Sequence, residues 1–191
     1  MNPSQLSEQL RKESTPDLNR RRWIVGLSLV GIAVSKIVTL YQMGIVKKLP
    51  HPPIPLFDSS KVDASDYAYK RLDTPDALMM LTNYGITAWL AGAGGKDRAK
   101  QTPLLSIAMG TKVLMDTAGA IMLGREEWKE NKKLCFYCQI ATLASATSLA
   151  LAIPEVLTAL KQVRAGRSGN NYGFEQNVFS GRTNLVPSGT P

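Results

Sequence analysis

Four long apolar segments constrain the fold of this chain more than any other feature, and they cover residues 23–46, 77–94, 103–124 and 134–160. Together they hold only four charged side chains, which are Lys36, Lys112, Asp116 and Glu155. A helix needs about 20 apolar residues to cross a bilayer. A soluble chain of 191 residues has no outer layer in which to bury four such helices. The sequence therefore predicts an all-α fold, a bundle of four transmembrane helices.

Basic residues indicate how the bundle is oriented, although the net charge of +8 and the mean hydropathy of −0.09 alone suggest a basic soluble protein. Lys and Arg in short flanks favour the cytoplasm. Three basic groups fit one common side: Arg20–Arg22, then Lys96, Arg98 and Lys100, then Lys161, Arg164 and Arg167. We therefore expect both termini in the cytoplasm, loops 47–76 and 125–133 outside, and membrane lipid rather than nucleic acid around the chain.

The polar stretches complete the predicted organisation. Residues 1–22 form a polar cytoplasmic N-terminal arm, residues 23–160 the membrane domain, and residues 161–191 a flexible cytoplasmic tail rich in Gly, Ser, Asn and Thr. The first outer loop opens with the proline-rich Leu49–Pro55, which cannot be helical. We expect one short helix later in this loop, over Asp63–Leu72.

The only two cysteines, Cys135 and Cys138, form a Cys-x-x-Cys pair at the outer end of the fourth segment. This spacing at a helix start brings two sulfurs within disulfide reach. The helix N-terminus, with Lys132 and Lys133 beside it, is expected to lower the thiol pKa of Cys135 and favour disulfide exchange. Cysteines packed as small apolar residues are the alternative. Zinc prefers four ligands, and His51 is the only histidine, so no metal is expected.

Polar residues inside the apolar segments suggest two further contacts. Lys36 and Asp116 each lie about 20 Å from the cytoplasmic end of their helices. Because unpaired charges in hydrocarbon are costly, we expect Lys36 and Asp116 to form an ion pair that stabilises the bundle, with a proton relay as the alternative. Lys112, one turn below Asp116, could compete for this carboxylate or reach toward Glu155. Asn83 and Tyr84 lie near the depth of Cys138, where they could bind a ligand or form hydrogen bonds between helices.

The run Leu-Cys-Phe-Tyr-Cys-Gln-Ile-Ala over 134–141, the four apolar segments and the long first outer loop resemble the vitamin K epoxide reductase family. The resemblance covers roughly residues 22–160 and is closest to bacterial members that couple quinone reduction to disulfide formation. It implies a location in the bacterial inner membrane and a quinone of the ubiquinone or menaquinone type. It also implies that Cys138 is proximal to the quinone, that Cys135 accepts electrons, and that Asn83 and Tyr84 contact the quinone.

One departure from the family pattern opens a second interpretation. The family usually carries a further cysteine pair in the first outer loop, and Lys47–Asp76 contains none. One hypothesis is a membrane thiol–disulfide oxidoreductase that takes electrons directly from a thioredoxin-like dithiol protein on the outer side. The other is a non-catalytic accessory subunit of a larger respiratory or photosynthetic membrane complex.

Overall fold

The computed structural model describes residues 2–180, with side chains for residues 2–165, and this part of the chain is helical without a β-strand. Seven α-helices follow one another: α1 (Pro3–Lys12), α2 (Pro16–Gln42), α3 (Ser59–Asp63), α4 (Asp76–Gly92), α5 (Arg98–Gln101), α6 (Pro103–Asn131) and α7 (Phe136–Ser180). A single 3₁₀ turn, Asp66–Ala68, follows α3. The predicted all-α class is confirmed. Of the predicted flexible tail, residues 181–191 lie outside the described part, and α7 occupies the section before them.

Three of these helices are long and apolar enough to cross a membrane: α2, α6 and the Phe136–Ala165 part of α7. The fourth predicted segment corresponds to α4, which has 17 residues and therefore a length of about 26 Å. This length is short of the roughly 30 Å hydrocarbon core of a bilayer. The structure thus provides three candidate spans and one shorter apolar helix packed beside them.

The outer and inner faces of the bundle have the composition that a lipid environment favours. Large apolar side chains point outward, among them Trp23, Leu104 and Leu143, each at least 67% exposed. Small residues lie at the crossings inside, as at Gly31 on α2, where an added Cβ would come within 2.5 Å of the Tyr84 ring. Membrane helices pack in this way because small residues let the backbones approach closely.

The packing order of the four long helices leaves one side open. Helix α2 packs against both α4 and α7, and α7 also packs against α6, whereas α4 and α6 touch each other little. The order around the bundle is therefore α4, α2, α7, α6. A cleft opens between α4 and α6.

Two buried arginines hold one end of this bundle together. Arg21 on α2 donates hydrogen bonds to the backbone carbonyls of Ala91 and Gly95, at 2.8 and 2.9 Å, where α4 ends. Arg98 on α5 donates to Glu155 on α7 at 2.5 Å, and both side chains are at most 3% exposed. Guanidinium groups suit this task because their several N–H donors satisfy carbonyls that a helix end leaves free. Two of the arginines assigned to the cytoplasmic flanks therefore have structural roles.

The first outer loop differs from its prediction. Its helix is the five-residue α3, Ser59–Asp63, capped by Asp58, and the expected helix over Asp63–Leu72 is absent. The chain leaves the helix at Ala64, and Ser65 is extended with a ψ angle of 161° before the 3₁₀ turn. A helix cannot continue through an extended residue.

We predict that Glu155→Ala lowers the free energy of unfolding by about 3–5 kcal/mol, because it leaves the Arg98 guanidinium buried without its counter-ion. The double substitution Arg98→Met with Glu155→Leu should recover only part of this loss, because it removes the unpaired charge but leaves the carbonyls of Leu90 and Ala93 without the Arg98 donors. Thermal unfolding of the detergent-purified protein measures both effects. Lys100→Ala, at an exposed position two residues from Arg98, is the matched control and should change the stability little. Equal melting temperatures for Glu155→Ala and this control would contradict the assignment.

Candidate active site at the cysteine pair

The two cysteines lie where α7 begins, with Cys135 just before the helix and Cys138 in its first turn. The Cys138 backbone N–H lies 3.3 Å from the Cys135 sulfur. Both cysteines are free thiols in this structure, and their sulfurs lie within 4.8 Å of each other. The predicted proximity of the two sulfurs at a helix start is therefore observed.

A buried glutamate sets the start of α7. Glu127, near the end of α6, accepts a hydrogen bond from the backbone N–H of Cys135 and a second, at 3.4 Å, from the side-chain amide of Gln139. A carboxylate at a helix N-terminus satisfies free N–H groups and interacts favourably with the helix dipole. Sequence analysis placed Glu127 among the acidic residues of an outer loop, because nothing in the sequence showed that α6 extends to Asn131.

The first outer loop covers Cys135 completely, so that its side chain has no exposed surface. The residues just before α3 pair with the segment that leads into α7: Asp58 donates its N–H to the carbonyl of Leu134 at 3.1 Å, and Leu134 donates its N–H to the carbonyl of Leu56 at 2.9 Å. Ser59 then accepts the N–H of Phe136 at 3.0 Å. The apolar side of this cover consists of Val62, Tyr67 and Ala68.

Charged and aromatic residues fasten the far end of the loop to α6. Arg71 pairs with Glu126, and Lys70 pairs with Glu130 at 2.6 Å. Both cations also lie over the Tyr67 ring, at 5.5 Å for Lys70 and 5.1 Å for Arg71. The Tyr67 hydroxyl donates to the carbonyl of Leu123 at 3.1 Å. We call the residues Tyr67, Lys70, Arg71, Glu126 and Glu130 the loop clamp.

Burial changes the expected chemistry of Cys135. The sequence predicted a lowered thiol pKa from Lys132, Lys133 and the helix dipole, and this prediction is wrong. Burial raises the pKa of Cys135, and the nearby Asp63 carboxylate adds to the effect. Lys133 points away from the sulfur and donates to the carbonyl of Pro55 at 2.5 Å. Cys135 is thus a protected thiol while the loop is closed.

Asp63 is the functional residue that the sequence did not reveal, because there it is only the first residue of the expected loop helix. It ends α3 with no exposed surface, and its Oδ1 lies 3.9 Å from the Cys138 sulfur. Its Oδ2 is buried without a hydrogen-bond partner. Asp63, Cys135 and Cys138 place three potential ligand atoms within 4.8 Å of one another, one fewer than a tetrahedral zinc site takes.

Cys138 lines the cleft between α4 and α6, which has a cavity volume of about 150 Å³ and is partly open to the outside. The wall is mainly apolar, as in typical ligand sites. The chemical groups that converge on it include a thiol, an amide and several carboxylates, contributed by Cys138, Asn83, Asp76, Asp116 and Glu127. The two cysteines therefore face different surroundings, Cys135 the loop and Cys138 the cleft.

Asn83 and Tyr84 both line this cleft with Cys138, and their hydrogen bonds differ. The Tyr84 hydroxyl donates to the carbonyl of Ala141 at 2.5 Å and lies 2.8 Å from the Ser145 hydroxyl, so it links α4 to α7. The side chain of Asn83 is exposed at the mouth of the cleft. Tyr84 thus contributes its ring to the wall, and Asn83 presents its amide.

The predicted Lys36–Asp116 ion pair is not formed. Asp116 pairs instead with Lys112, one turn away on α6, at 2.5 Å, and also accepts a hydrogen bond from Thr87 at 3.1 Å. Lys36 is exposed on the surface of α2, six residues from the helix end at Gln42. A lysine so close to a helix end can extend its amine toward the interface, so it needs no buried partner.

Loosening the loop clamp should expose Cys135. We predict that Arg71→Ala increases the rate at which a maleimide labels Cys135 about tenfold, because the loss of an ion pair and a cation–π contact favours local opening. The measurement uses a Cys138→Ser background, so that only one thiol reacts. Lys61→Ala, at an exposed position on the same loop, is the control and should label at the parent rate. Equal rates for the two variants would show that the clamp does not hold the loop closed.

Comparison with known proteins agrees with this geometry. The sequence model of the vitamin K epoxide reductase family matches residues 22–153, about two thirds of the chain, and this range includes the loop, the cleft and both cysteines. A search of the curated proteins finds no match. With three apolar helices long enough to span a membrane and a family match over this range, the chain is a multi-pass membrane protein that belongs to the vitamin K epoxide reductase family.

Proposed function

We propose that this protein is a membrane thiol–disulfide oxidoreductase that passes electrons from a dithiol protein, through Cys135 and Cys138, to a membrane quinone. The observation that carries the proposal is the position of the cysteine pair between two environments. Cys138 faces an apolar cleft, whereas Cys135 lies under the outer loop. The family membership supports the same chemistry.

The proposed reaction transfers two electrons and two protons from the donor dithiol to the quinone through the cysteine pair. The donor dithiol attacks the Cys135–Cys138 disulfide, a mixed disulfide forms at Cys135, and its resolution leaves both cysteines reduced and the donor oxidised. The reduced pair then returns to the disulfide as the quinone becomes a quinol. The electrons thus pass from the donor thiols to the quinone, and the two protons released by the cysteines balance the two that the quinol gains.

The cleft between α4 and α6 is the proposed binding site of the quinone. A quinone of the ubiquinone or menaquinone type is the substrate, and an apolar cleft that is open between α4 and α6 suits a molecule arriving from lipid. Asn83 offers an amide donor, and the ring of Tyr84 forms part of the wall. Lys112 and Asp116 stabilise the helix pair α4–α6 at the cleft through Thr87. Their pairing neutralises two charges at this depth.

The proposed arrangement in the membrane has α4 as the fourth span. Basic side chains collect at the end of the bundle held by Arg21 and Arg98. The cysteines lie at the opposite end, because α7 runs from Cys138 to Glu155 between the two. Placing the basic end in the cytoplasm puts both termini there and the cysteines on the outer side of a bacterial inner membrane. Disulfide-forming proteins function on that side.

A thioredoxin-like dithiol protein on the outer side is the proposed electron donor. The chain has no loop cysteine to relay electrons, so the donor must react with Cys135 itself. Because the closed loop covers Cys135, the reaction needs the loop to open, and the loop clamp sets how often that occurs. Loop opening is therefore proposed as the step that controls the entry of electrons.

The burial of Cys135 and the absence of loop cysteines favour a second candidate, an accessory subunit of a larger respiratory or photosynthetic membrane complex. A buried Cys135 and a loop without cysteines suit a fold that has lost catalysis. This candidate predicts that the protein co-purifies with a large complex. It also predicts that the electron transfer of that complex is unchanged by Cys135→Ala.

Steady-state turnover separates the two candidates. The purified protein is mixed with dithiothreitol and a short-chain ubiquinone analogue, and quinol formation is followed by absorbance. We predict turnover by the wild type and none by Cys138→Ala, because a single thiol cannot form the intramolecular disulfide. Asn83→Ala should raise KM for the quinone about tenfold, the effect of losing one or two hydrogen bonds to the substrate.

Thr82→Ala is the matched control, since Thr82 is the exposed neighbour of Asn83 on α4 and does not line the cleft. Its KM should equal that of the wild type. Equal turnover by the wild type and Cys138→Ala would rule out the proposed reaction. An equal rise in KM for Asn83→Ala and Thr82→Ala would remove Asn83 from the quinone site.

A further inference from the structure

A buried carboxyl beside the cysteine pair has no structural task that explains its position. Asp63 has no exposed surface, and its Oδ2 has no hydrogen-bond partner. Buried polar groups are paired in the great majority of cases, because an unpaired one costs free energy. Such an exception calls for a physical role.

The carboxyl group of Asp63 lies close to both thiols. Its Oδ1 lies 3.9 Å from the sulfur of Cys138, within the range of an S–H···O hydrogen bond. The Cys135 sulfur belongs to the same cluster of atoms, within 4.8 Å. The loop holds Asp63 in place because α3, which it ends, is capped by Asp58 and bonded to α7 through Ser59.

The reaction needs a proton acceptor at this point. Disulfide chemistry needs a thiolate as the nucleophile, so one of the two thiols must lose its proton. Burial disfavours the thiolate of Cys135. Lys133, two residues before Cys135, does not stabilise the thiolate, because its amine donates to the backbone carbonyl of Pro55 in the loop. A nearby carboxylate can take the proton of Cys138 as the thiol reacts.

We propose that Asp63 is the general base of the cysteine pair, accepting the proton of the Cys138 thiol when the reduced pair is oxidised and returning it to the quinol. This inference rests on the proposed function. The S–H bond of Cys138 breaks and the O–H bond of Asp63 forms. The S–S bond to Cys135 then forms as the two electrons leave for the quinone. The Cys135 proton and the one held by Asp63 become the two quinol protons.

The groups around Asp63 shift its pKa to a value that suits a general base. Burial raises the pKa of Asp63 to about 7, and the Asp76 carboxylate on α4 acts in the same direction. A base whose pKa lies near the working pH is efficient in both directions of proton transfer. The titratable groups that face it come from the loop, α4, α6 and the start of α7, and they are Tyr69, Asp76, Glu127, Cys135, Tyr137 and Cys138.

The test compares two rates in Asp63→Asn, which has nearly the same shape and no basic group. The first is the rate at which the reduced protein reduces a short-chain ubiquinone analogue. The second is the rate at which iodoacetamide alkylates Cys138 in a Cys135→Ser background. We expect quinone reduction to fall about 100-fold, the usual contribution of a general base. Alkylation should stay equal or rise, because removing a negative charge favours the thiolate.

The pH profile and a matched variant complete the design. The wild-type rate of quinone reduction should rise with pH through about 7, because Asp63 must be ionised to act, and Asp63→Asn should lack this rise. Asp66→Asn, at an exposed position on the same loop, should match the wild type in both rates and in its pH profile.

Three outcomes would overturn the inference. Wild-type quinone reduction by Asp63→Asn would leave the carboxyl without a role in proton transfer. An equal fall in both of its rates would show that Asp63 only shapes the surroundings of the cysteines. If the wild type reduces no quinone, the proposed function itself fails, and this result is distinct because it does not involve Asp63.

Discussion

The docking of the first outer loop against the start of α7 is the interaction on which the rest of the site depends. Backbone hydrogen bonds of Asp58 and Leu134 and the side-chain bond of Ser59 join two segments that are far apart in sequence. This docking buries Cys135, brings Asp63 to the thiols and places Tyr67 on the wall of the cleft. Without it, the cysteine pair would be an exposed motif at a helix start, with the lowered thiol pKa that the helix dipole provides.

A second set of buried polar contacts holds the opposite end of the bundle together. Arg21 and Arg98 satisfy the carbonyls at the end of α4, and Glu155 neutralises Arg98 within the bundle. These contacts connect the end of α4 to α2 and α7, whereas α4 and α6 touch each other little. Cys138 therefore lines a cleft on one side while the loop covers Cys135 on the other. Access to the two thiols is separated by the packing order of the helices.

Sequence analysis predicted the features that local patterns determine. Apolar length and the rarity of charges identified the long helices, and the Cys-x-x-Cys motif with its flanking residues indicated the family. Asn83 and Tyr84 were placed near Cys138 by counting residues along helices, and the structure puts all three on one cleft.

Features that depend on tertiary contacts could not be predicted in this way. Lys132 and Lys133 lie next to Cys135 in sequence, but burial and Asp63 determine its ionisation. Residue counts gave Lys36 and Asp116 the same depth and left Lys112 as a competitor, and only the structure shows that Lys112 on the same helix takes the carboxylate. No pattern marked Asp63, because its role depends on how the loop folds back over the start of α7.

The most direct test of the account is a count of protein thiols after a single anaerobic turnover. Fully reduced protein is mixed with an excess of a short-chain ubiquinone analogue, and the remaining thiols and the quinol formed are both measured. The account predicts that two thiols disappear for each quinol produced, with Cys135 and Cys138 recovered as a disulfide by mass spectrometry. Two intact thiols and no quinol, in protein that remains folded, would contradict it.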